Sequence, residues 1–347
     1  MRKILTLIIA LTFMFFIVAC SDSEETVDYS GVYEGYAWSG EATGVAFEDA
    51  TQYIKTTLYI AKDGTIVDAA MDFQIKRDGV WVSRLVTEAT AEIDYNVTPV
   101  AATPGTNYAA GTSMFTVTTG DWMSFYAIGV SADGTVALLM VDPITRYQFE
   151  VKLPSTFDFS QNVSSLTVGS GLLVPTRRTA GGALISPTDW ELLSDKHFLN
   201  MSYWSHVVTD TGVLEGISAS SSVELMLEKF GVTFTGGVPQ VMNSKTGFTG
   251  LGGWAGNYGS IREYLVGKNV LEVLSLVDWS DEKYEGSINE ENQFGVDVAT
   301  GATRTAQNSV DTYAGATVRL SRESESYQKA LVAAGILKIE DVIIGRF

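Results

Sequence analysis

Two short segments, each centred on an Asp-Gly-Thr turn, set the strongest limit on how this chain can fold. Residues 56–70 contain one of them, with Asp63 and its following glycine at the centre, and residues 125–141 contain the other, at Asp133. Both turns are flanked by runs rich in β-branched and apolar side chains. Because glycine accepts the positive φ of a tight turn, each segment predicts an antiparallel β-hairpin.

Composition supports a strand-rich fold with only a few helices. The chain has 33 glycines and is 46% hydrophobic, which is enough apolar material for a packed core. Helical spacing is found over residues 221–230 and again from about Ser321, where Glu323 and Glu325 suit the positive end of a helix. In the second helix the core-facing positions are Tyr327, Ala330, Leu331 and Ala334. We therefore predict an α+β fold with antiparallel sheets, and a loop over the glycine-rich residues 250–259.

The length of the chain indicates two domains, although one large β-rich domain is the alternative. A loop-like stretch from Pro175 to Pro187 marks the expected boundary. The predicted organisation is a signal peptide, an acidic tether, a β-rich domain and an α+β domain, over residues 1–19, 20–28, 29–180 and 181–347.

The N-terminal residues have the pattern of an export signal. A short basic stretch precedes an apolar run over residues 4–18, and Ala19 and Cys20 follow. This order is typical of a secretory signal, and the run is shorter than the ~20 residues of a membrane-spanning helix. Cys20 directly after Ala19 resembles the lipobox of bacterial lipoproteins, with Ile17 where leucine is usual.

Cys20 is the only cysteine, so the chain can form neither an internal disulfide nor a multi-thiolate metal site. The lipobox resemblance implies cleavage before Cys20 and attachment of two acyl chains, which hold a protein firmly on a membrane. We therefore expect a lipid-anchored, extracytoplasmic protein of the cell envelope, either periplasmic or at the cell surface. The alternatives are an uncleaved anchor helix and an ordinary signal with an incidental cysteine.

The charge of the chain argues against nucleic acid as a partner. The 41 acidic and 23 basic residues give a net charge of −18, which becomes −20 when Arg2 and Lys3 leave with the signal. A surface with this charge repels phosphate backbones and anionic lipid headgroups.

Two similar heptapeptides precede the last predicted helix. The first runs from Asp297 to Thr303 and the second, 14 residues later, from Asp311 to Thr317. They share an aspartate followed four positions later by Gly-Ala-Thr, which is Gly301-Ala302-Thr303 in the first and Gly315-Ala316-Thr317 in the second. The first also has Thr300 directly before the glycine, where the second has Ala314.

This pattern resembles the Asp-x-x-Ser/Thr-Gly-Ala-Thr motif of the FMN-binding domain family, which includes flavin subunits of the sodium-pumping quinone reductase. The resemblance implies a covalent FMN, joined through its phosphate to the last threonine of the motif by a separate flavin transferase. It also implies an FMN-binding-domain-like C-terminal part. The complete match favours Thr303, whereas Thr317 departs at Ala314 but has the more usual position directly before the helix. Weaker resemblance lies at residues 31–35 and in the first hairpin.

The residue types suit such an attachment. Threonine is a poor nucleophile without an activating base, which a transferase can supply from outside. Glycine and alanine have small side chains, so the active site of a transferase can reach the threonine hydroxyl. Asp297 or Asp311 offers a carboxylate for recognition or for the transferase's magnesium ion, and no metal bound by the chain itself is expected.

Two functions remain open from the sequence. The first is an extracytoplasmic electron carrier in which FMN passes electrons between membrane and extracellular redox partners, as a redox subunit rather than a stand-alone catalyst. The second is a cofactor-free, β-rich surface lipoprotein that binds a polymer or a protein partner, with the two motifs serving only as turns. Trp254 and Tyr258 on the predicted loop are candidate ring contacts, with core burial as the default.

Overall fold

A computed structural model describes most of the chain beyond residue 26. The described residues are 27–86, 88–103, 109–122, 124–142, 147–178, 193–200, 208–209, 212–250, 252–276 and 320–344. Cys20 and both heptapeptides lie outside these ranges, as do residues 1–19 of the predicted signal. The described residues form an α+β fold rich in antiparallel strands, which confirms the predicted fold class.

The described part of the chain contains thirteen strands and three helices. The strands are β1 Gly31–Trp38, β2 Gln52–Ile60, β3 Ile66–Arg77, β4 Val80–Ser83, β5 Ala89–Ile93, β6 Phe115–Thr119, β7 Phe125–Val130, β8 Val136–Val141, β9 Tyr147–Leu153, β10 Val174–Arg178, β11 Phe234–Thr235, β12 Val238–Pro239 and β13 Met242–Phe248. The helices are α1 Val223–Lys229, α2 Gly253–Leu265 and α3 Leu320–Ala333.

Two antiparallel sheets dominate the fold. The first has the order β1-β2-β3-β4 and the second the order β10-β9-β8-β7-β13, while β5 pairs with β6 and β11 with β12. Both predicted hairpins are present, as β2–β3 and β7–β8. In each turn the glycine has φ near +80° and the aspartate side chain accepts from the threonine N–H two residues on. This shared chemistry explains why both turns were readable from sequence.

The two helices with clear periodicity are confirmed, whereas the loop predicted over the glycine-rich residues 250–259 is wrong. α1 begins after Ser222, whose hydroxyl accepts from the Leu225 N–H at 3.1 Å. The stripe predicted for α3 is buried at Tyr327, and the glycine after the helix has φ +72°. The glycine-rich segment instead forms α2, because a buried stripe outweighs the poor helix propensity of glycine. That stripe consists of Trp254, Tyr258, Ile261 and Leu265.

The first core lies between one face of the first sheet and helices α2 and α3. α3 crosses β1 so closely that a Cβ on Gly35 would lie 2.1 Å from the Ser326 carbonyl oxygen. Thr56 on β2 shares a 2.6 Å hydrogen bond with the Ser326 hydroxyl. Strands from the first hundred residues therefore bury their apolar side chains against helices from the last hundred.

The second sheet has apolar cores on both of its faces. α1 covers one face, through Met226 and Phe230, and strands β5 and β6 lie over the other. Both larger cores combine residues from either side of position 180, where the sequence placed a domain boundary. That boundary stays a prediction. Among the described helices, none combines the length and the apolar character that crossing a membrane requires.

Candidate functional site

The described residues that flank positions 277–319 lie beside each other at the first turn of α3. The Leu276 N–H donates to the Ser324 hydroxyl at 3.1 Å, and the Ser275 and Ser324 hydroxyls lie 2.8 Å apart. Leu276 and Leu320 are both buried in the first core. The described residues on either side of 277–319, the range that carries both heptapeptides, thus meet at the start of α3.

The first turn of α3 buries charged side chains. The sequence predicts Glu323 and Glu325 in this turn, but the helix begins at Leu320, so only Glu323 lies there and Glu325 lies in the next turn. Both side chains are fully buried. Glu323 accepts from the Tyr258 hydroxyl at 3.1 Å and lies 3.5 Å from the guanidinium of Arg322. Burial of charge is costly unless the group is paired, so these contacts decide the geometry of the turn.

Two guanidinium groups lie against the same pair of aromatic rings. Phe73 and Trp254 meet edge to face, with their centroids 4.7 Å apart. The Arg84 guanidinium carbon is 5.1 Å from each ring centroid and that of Arg322 is 5.3 Å from each. Cation–π attraction compensates in part for the loss of water around these charges.

Asp121 supplies the negative charge that this cluster needs. It is fully buried, and its Oδ2 accepts from the Trp254 backbone N–H at 2.7 Å. Gly253, at the start of α2, has φ +64°, and a Cβ there would lie 2.0 Å from Asp121 Oδ2. A carboxylate at a helix N-terminus is favourable, and only glycine lets it approach this closely.

Buried hydrogen-bond donors without a partner in the described part of the chain occur in this cluster. Among them are Arg84 Nε and Trp254 Nε1. Both belong to side chains beside the first turn of α3, where residues 277–319 are attached. Buried polar groups nearly always find partners, so each of these two N–H groups needs an acceptor. We call Arg84, Asp121, Trp254, Arg322 and Glu323 the arginine cluster.

Burial shifts the proton affinities of this cluster. It raises the pKa of Tyr258 well above its usual value, and the neighbouring Glu323 carboxylate adds to the increase. Burial also lowers the pKa of the Arg84 guanidinium, an effect that Asp121 opposes. An arginine remains protonated across the physiological range, so the cluster keeps two fixed positive charges.

A second group of buried charges lies further along α3. The Lys329 ammonium contacts Glu41 and lies 2.7 Å from Glu325 Oε1. Burial, followed by the hydrogen bond to Glu41, raises the pKa of Glu325 to about 8, although Lys329 opposes the shift. Glu325 therefore keeps its proton over much of the physiological range.

The two candidate ring contacts from sequence, and the histidine at position 197, have structural positions. Trp254 and Tyr258 are buried core residues rather than exposed ring contacts. His197 is mostly buried, and its Nδ1 accepts from the Leu199 N–H at 3.2 Å. Within the described ranges no group of three or more histidine, cysteine, aspartate or glutamate side chains could hold a metal ion.

Sequence reasoning missed the arginine cluster because its members come from four distant positions. Arg84, Asp121, Trp254 and Arg322 lie on β-segment ends and on two helices, and no local spacing connects them. A partial signal was present, since a charged residue inside the first turn of a buried amphipathic helix requires a partner. Comparison of this chain with known protein families, with curated proteins and with solved structures found no match in any of the three.

Proposed function

We propose that this protein is a lipid-anchored, extracytoplasmic electron-transfer protein that carries FMN, esterified to a threonine of the segment attached beside the arginine cluster. The observation that carries the proposal is the combination of the Gly-Ala-Thr motifs with two buried guanidinium groups at the attachment point of that segment. FMN supplies one- and two-electron redox chemistry when bound, and the protein's part is to attach and orient it.

Chain length favours Thr317 as the residue closest to the arginine cluster. Only two residues separate Thr317 from Leu320, so their Cα atoms are at most about 11 Å apart. Arg322 follows Leu320 by two residues on the same helix. Thr303 is 17 residues from Leu320, a chain length that spans up to about 60 Å and imposes no such restriction.

The residues of the cluster fit a phosphate monoester or diester. Guanidinium groups bind phosphate oxygens through paired N–H donors, and Arg84 Nε and Trp254 Nε1 are donors that need acceptors. Asp121 and Glu323 offset the two arginine charges, so in this proposal the phosphate is held by directed N–H donors rather than by an excess of positive charge. In this proposal Arg84 and Arg322 hold the phosphate and leave the flavin ring outside the core.

The direct test is co-expression of the full chain with a bacterial flavin transferase. We expect in-gel flavin fluorescence that survives denaturation and an intact mass increased by one esterified FMN. Thr317→Ala, Thr303→Ala and the double variant would assign the residue, with Thr305→Ala as a matched control outside both motifs. Loss in the double variant with retention in Thr305→Ala supports the proposal.

The arginines are tested separately, by the properties of flavin that is already attached. Arg84→Gln should shift the flavin absorption spectrum and its reduction potential, whereas Arg84→Lys, which keeps the charge, should restore part of the difference. A colourless wild-type protein, in cells where the same transferase modifies a known substrate, would overturn the flavin proposal.

A further inference from the structure

One face of the first sheet has no α-helix over it in the described part of the chain. Side chains alternate between the two faces of a strand, and those facing α2 and α3 on β1–β3 are mostly buried. On the opposite face β1 and β2 present half-buried or exposed residues, among them Val32 at 59% and Tyr59 at 39% exposure. We call this the outer face.

Five aromatic side chains form a connected cluster at one end of the outer face. Trp38 and Tyr53 are direct partners on neighbouring strands. Tyr53 meets Trp81 of β4 at a centroid distance of 4.7 Å. Phe47, on a short turn folded back over this end, lies within 5.6 Å of Tyr36 and of two other rings, and is 36% exposed. We call Tyr36, Trp38, Phe47, Tyr53 and Trp81 the aromatic cluster.

The rings meet edge to face or tilted, with interplanar angles from 52° to 80°. In such contacts the rings do not stack flat on one another. Ammonium groups lie over three of them, Lys55 over Tyr36, Lys76 over Trp81 and Lys329 over Trp38, so a ligand has at most one face of each of these rings. These rings are not part of the first core, which lies on the other face of the sheet.

Planar polar side chains lie directly beside the rings. Asp72 accepts hydrogen bonds from the Ser83 hydroxyl at 2.7 Å and from the Gln74 amide, which faces Tyr53 across the strand pair. On the other side, Glu34 pairs with Lys55 at 2.5 Å and accepts from the Tyr36 hydroxyl at 2.9 Å. Carboxylates, amides and hydroxyls held in this way are preorganised donors and acceptors.

This combination matches the chemistry of a sugar polymer. The C–H faces of a pyranose pack on aromatic rings, and its hydroxyls pair with carboxylate, amide and lysine groups. Along β2 the rings recur from Tyr53 to Tyr59, a separation of about 20 Å at the usual strand rise, which accommodates several sugar units. The net charge of −18 disfavours an acidic polymer or an anionic membrane.

We propose that the outer face of the first sheet, with the aromatic cluster at one end, binds a neutral polysaccharide. The binding holds the protein at a glycan-rich layer. It depends on neither flavin nor lipid, because none of its residues belongs to the arginine cluster or to residues 277–319.

The test is calorimetric titration of the full chain with three neutral probes, namely cellohexaose, maltohexaose and the hexamer of N-acetylglucosamine, up to about 1 mM. We expect at least one probe to bind. Trp81→Ala and Tyr53→Ala should weaken that binding about tenfold, because each removes a ring of the cluster. Trp81→Phe, which keeps a ring, should lose less than Trp81→Ala.

Tyr95→Ala is the matched control, since Tyr95 is also a half-buried tyrosine but lies beside the second sheet. It should bind like the wild type, and all variants should keep the wild-type melting temperature within a few degrees. Absence of binding to all three probes would overturn the proposal, as would binding that Trp81→Ala leaves unchanged. Preferential binding to phosphatidylcholine vesicles, lost in Trp81→Ala, would instead assign this face to a membrane.

Discussion

The two large sheets contain a hairpin with the same Asp-Gly-Thr turn, yet they expose very different amounts of surface. All residues of β7 and β8 are buried, because the second sheet has cores on both sides. In β1 and β2 buried positions alternate with open ones, because helices cover only one side. A sheet that is covered on both faces has little exposed surface with which to bind a ligand. The proposed functions therefore concentrate in the first sheet, whose outer face is open and whose helices carry the arginine cluster.

Ala137 and Ala70 provide the sharpest test of this comparison. Ala137 is fully buried on β8, opposite Lys152, whereas Ala70 is exposed on β3. Ala137→Lys should lower the free energy of unfolding by about 4 kcal/mol or more, since it buries an unpaired charge beside another lysine. Ala70→Lys should change it by less than ~0.5 kcal/mol. Urea unfolding followed by circular dichroism measures both, and equal losses would contradict the difference between the two faces.

Gly35 tests the covered side of the first sheet. Gly35→Ala places a Cβ against the Ser326 carbonyl oxygen and 2.3 Å from the Ala330 nitrogen, so helix and strand must separate. We expect a loss of ~1–3 kcal/mol of unfolding free energy, the range for overpacking a close contact. Gly259→Ala on α2 is the control, because a Cβ there meets nothing within 4 Å and alanine favours helix. Were Gly35→Ala as stable as wild type, α3 could not lie as close to β1 as described.

The elements that sequence predicted well are those specified by neighbouring residues. Each hairpin is specified by an aspartate, a glycine and flanking β-branched residues, and α3 is specified by its apolar spacing. The predictions of both hairpins and of this helix are therefore confirmed. α2 was missed because three of its first seven residues are glycine, a composition that favours loops. Its helical state comes from burial of Trp254 against Phe73, a residue 181 positions away.

Neither proposed binding region was readable before strand pairing was known. The aromatic cluster requires the register that places Trp38 opposite Tyr53, and the return of the turn with Phe47 over both. The arginine cluster requires Arg84 and Arg322 to meet across one tryptophan. In contrast, the threonine motifs are purely local, which is why sequence alone could propose a flavin there but could not propose what holds its phosphate.

The smallest expected effect concerns protonation under α3. The pKa of Glu325 is raised to about 8 by burial and by Glu41, so the folded protein holds this proton more tightly than the unfolded chain does. The resulting stabilisation is complete below the unfolded pKa of 4.5 and is lost as pH rises through 8. His197 opposes this trend, because burial lowers its pKa. Only the difference between wild type and a variant therefore isolates Glu325.

Glu325→Gln removes that titration while keeping the shape of the side chain. Relative to wild type, its free energy of unfolding should improve by ~1 kcal/mol or more between pH 5 and pH 8, since each unit of pKa shift corresponds to ~1.4 kcal/mol. Lys329 limits the gain, because it stabilises the ionised glutamate that the variant lacks. Glu340→Gln, which removes one exposed carboxylate, should keep the wild-type pH dependence. Parallel pH curves for wild type and Glu325→Gln would show that Glu325 is ionised throughout, and that Lys329 rather than Glu41 sets its proton affinity.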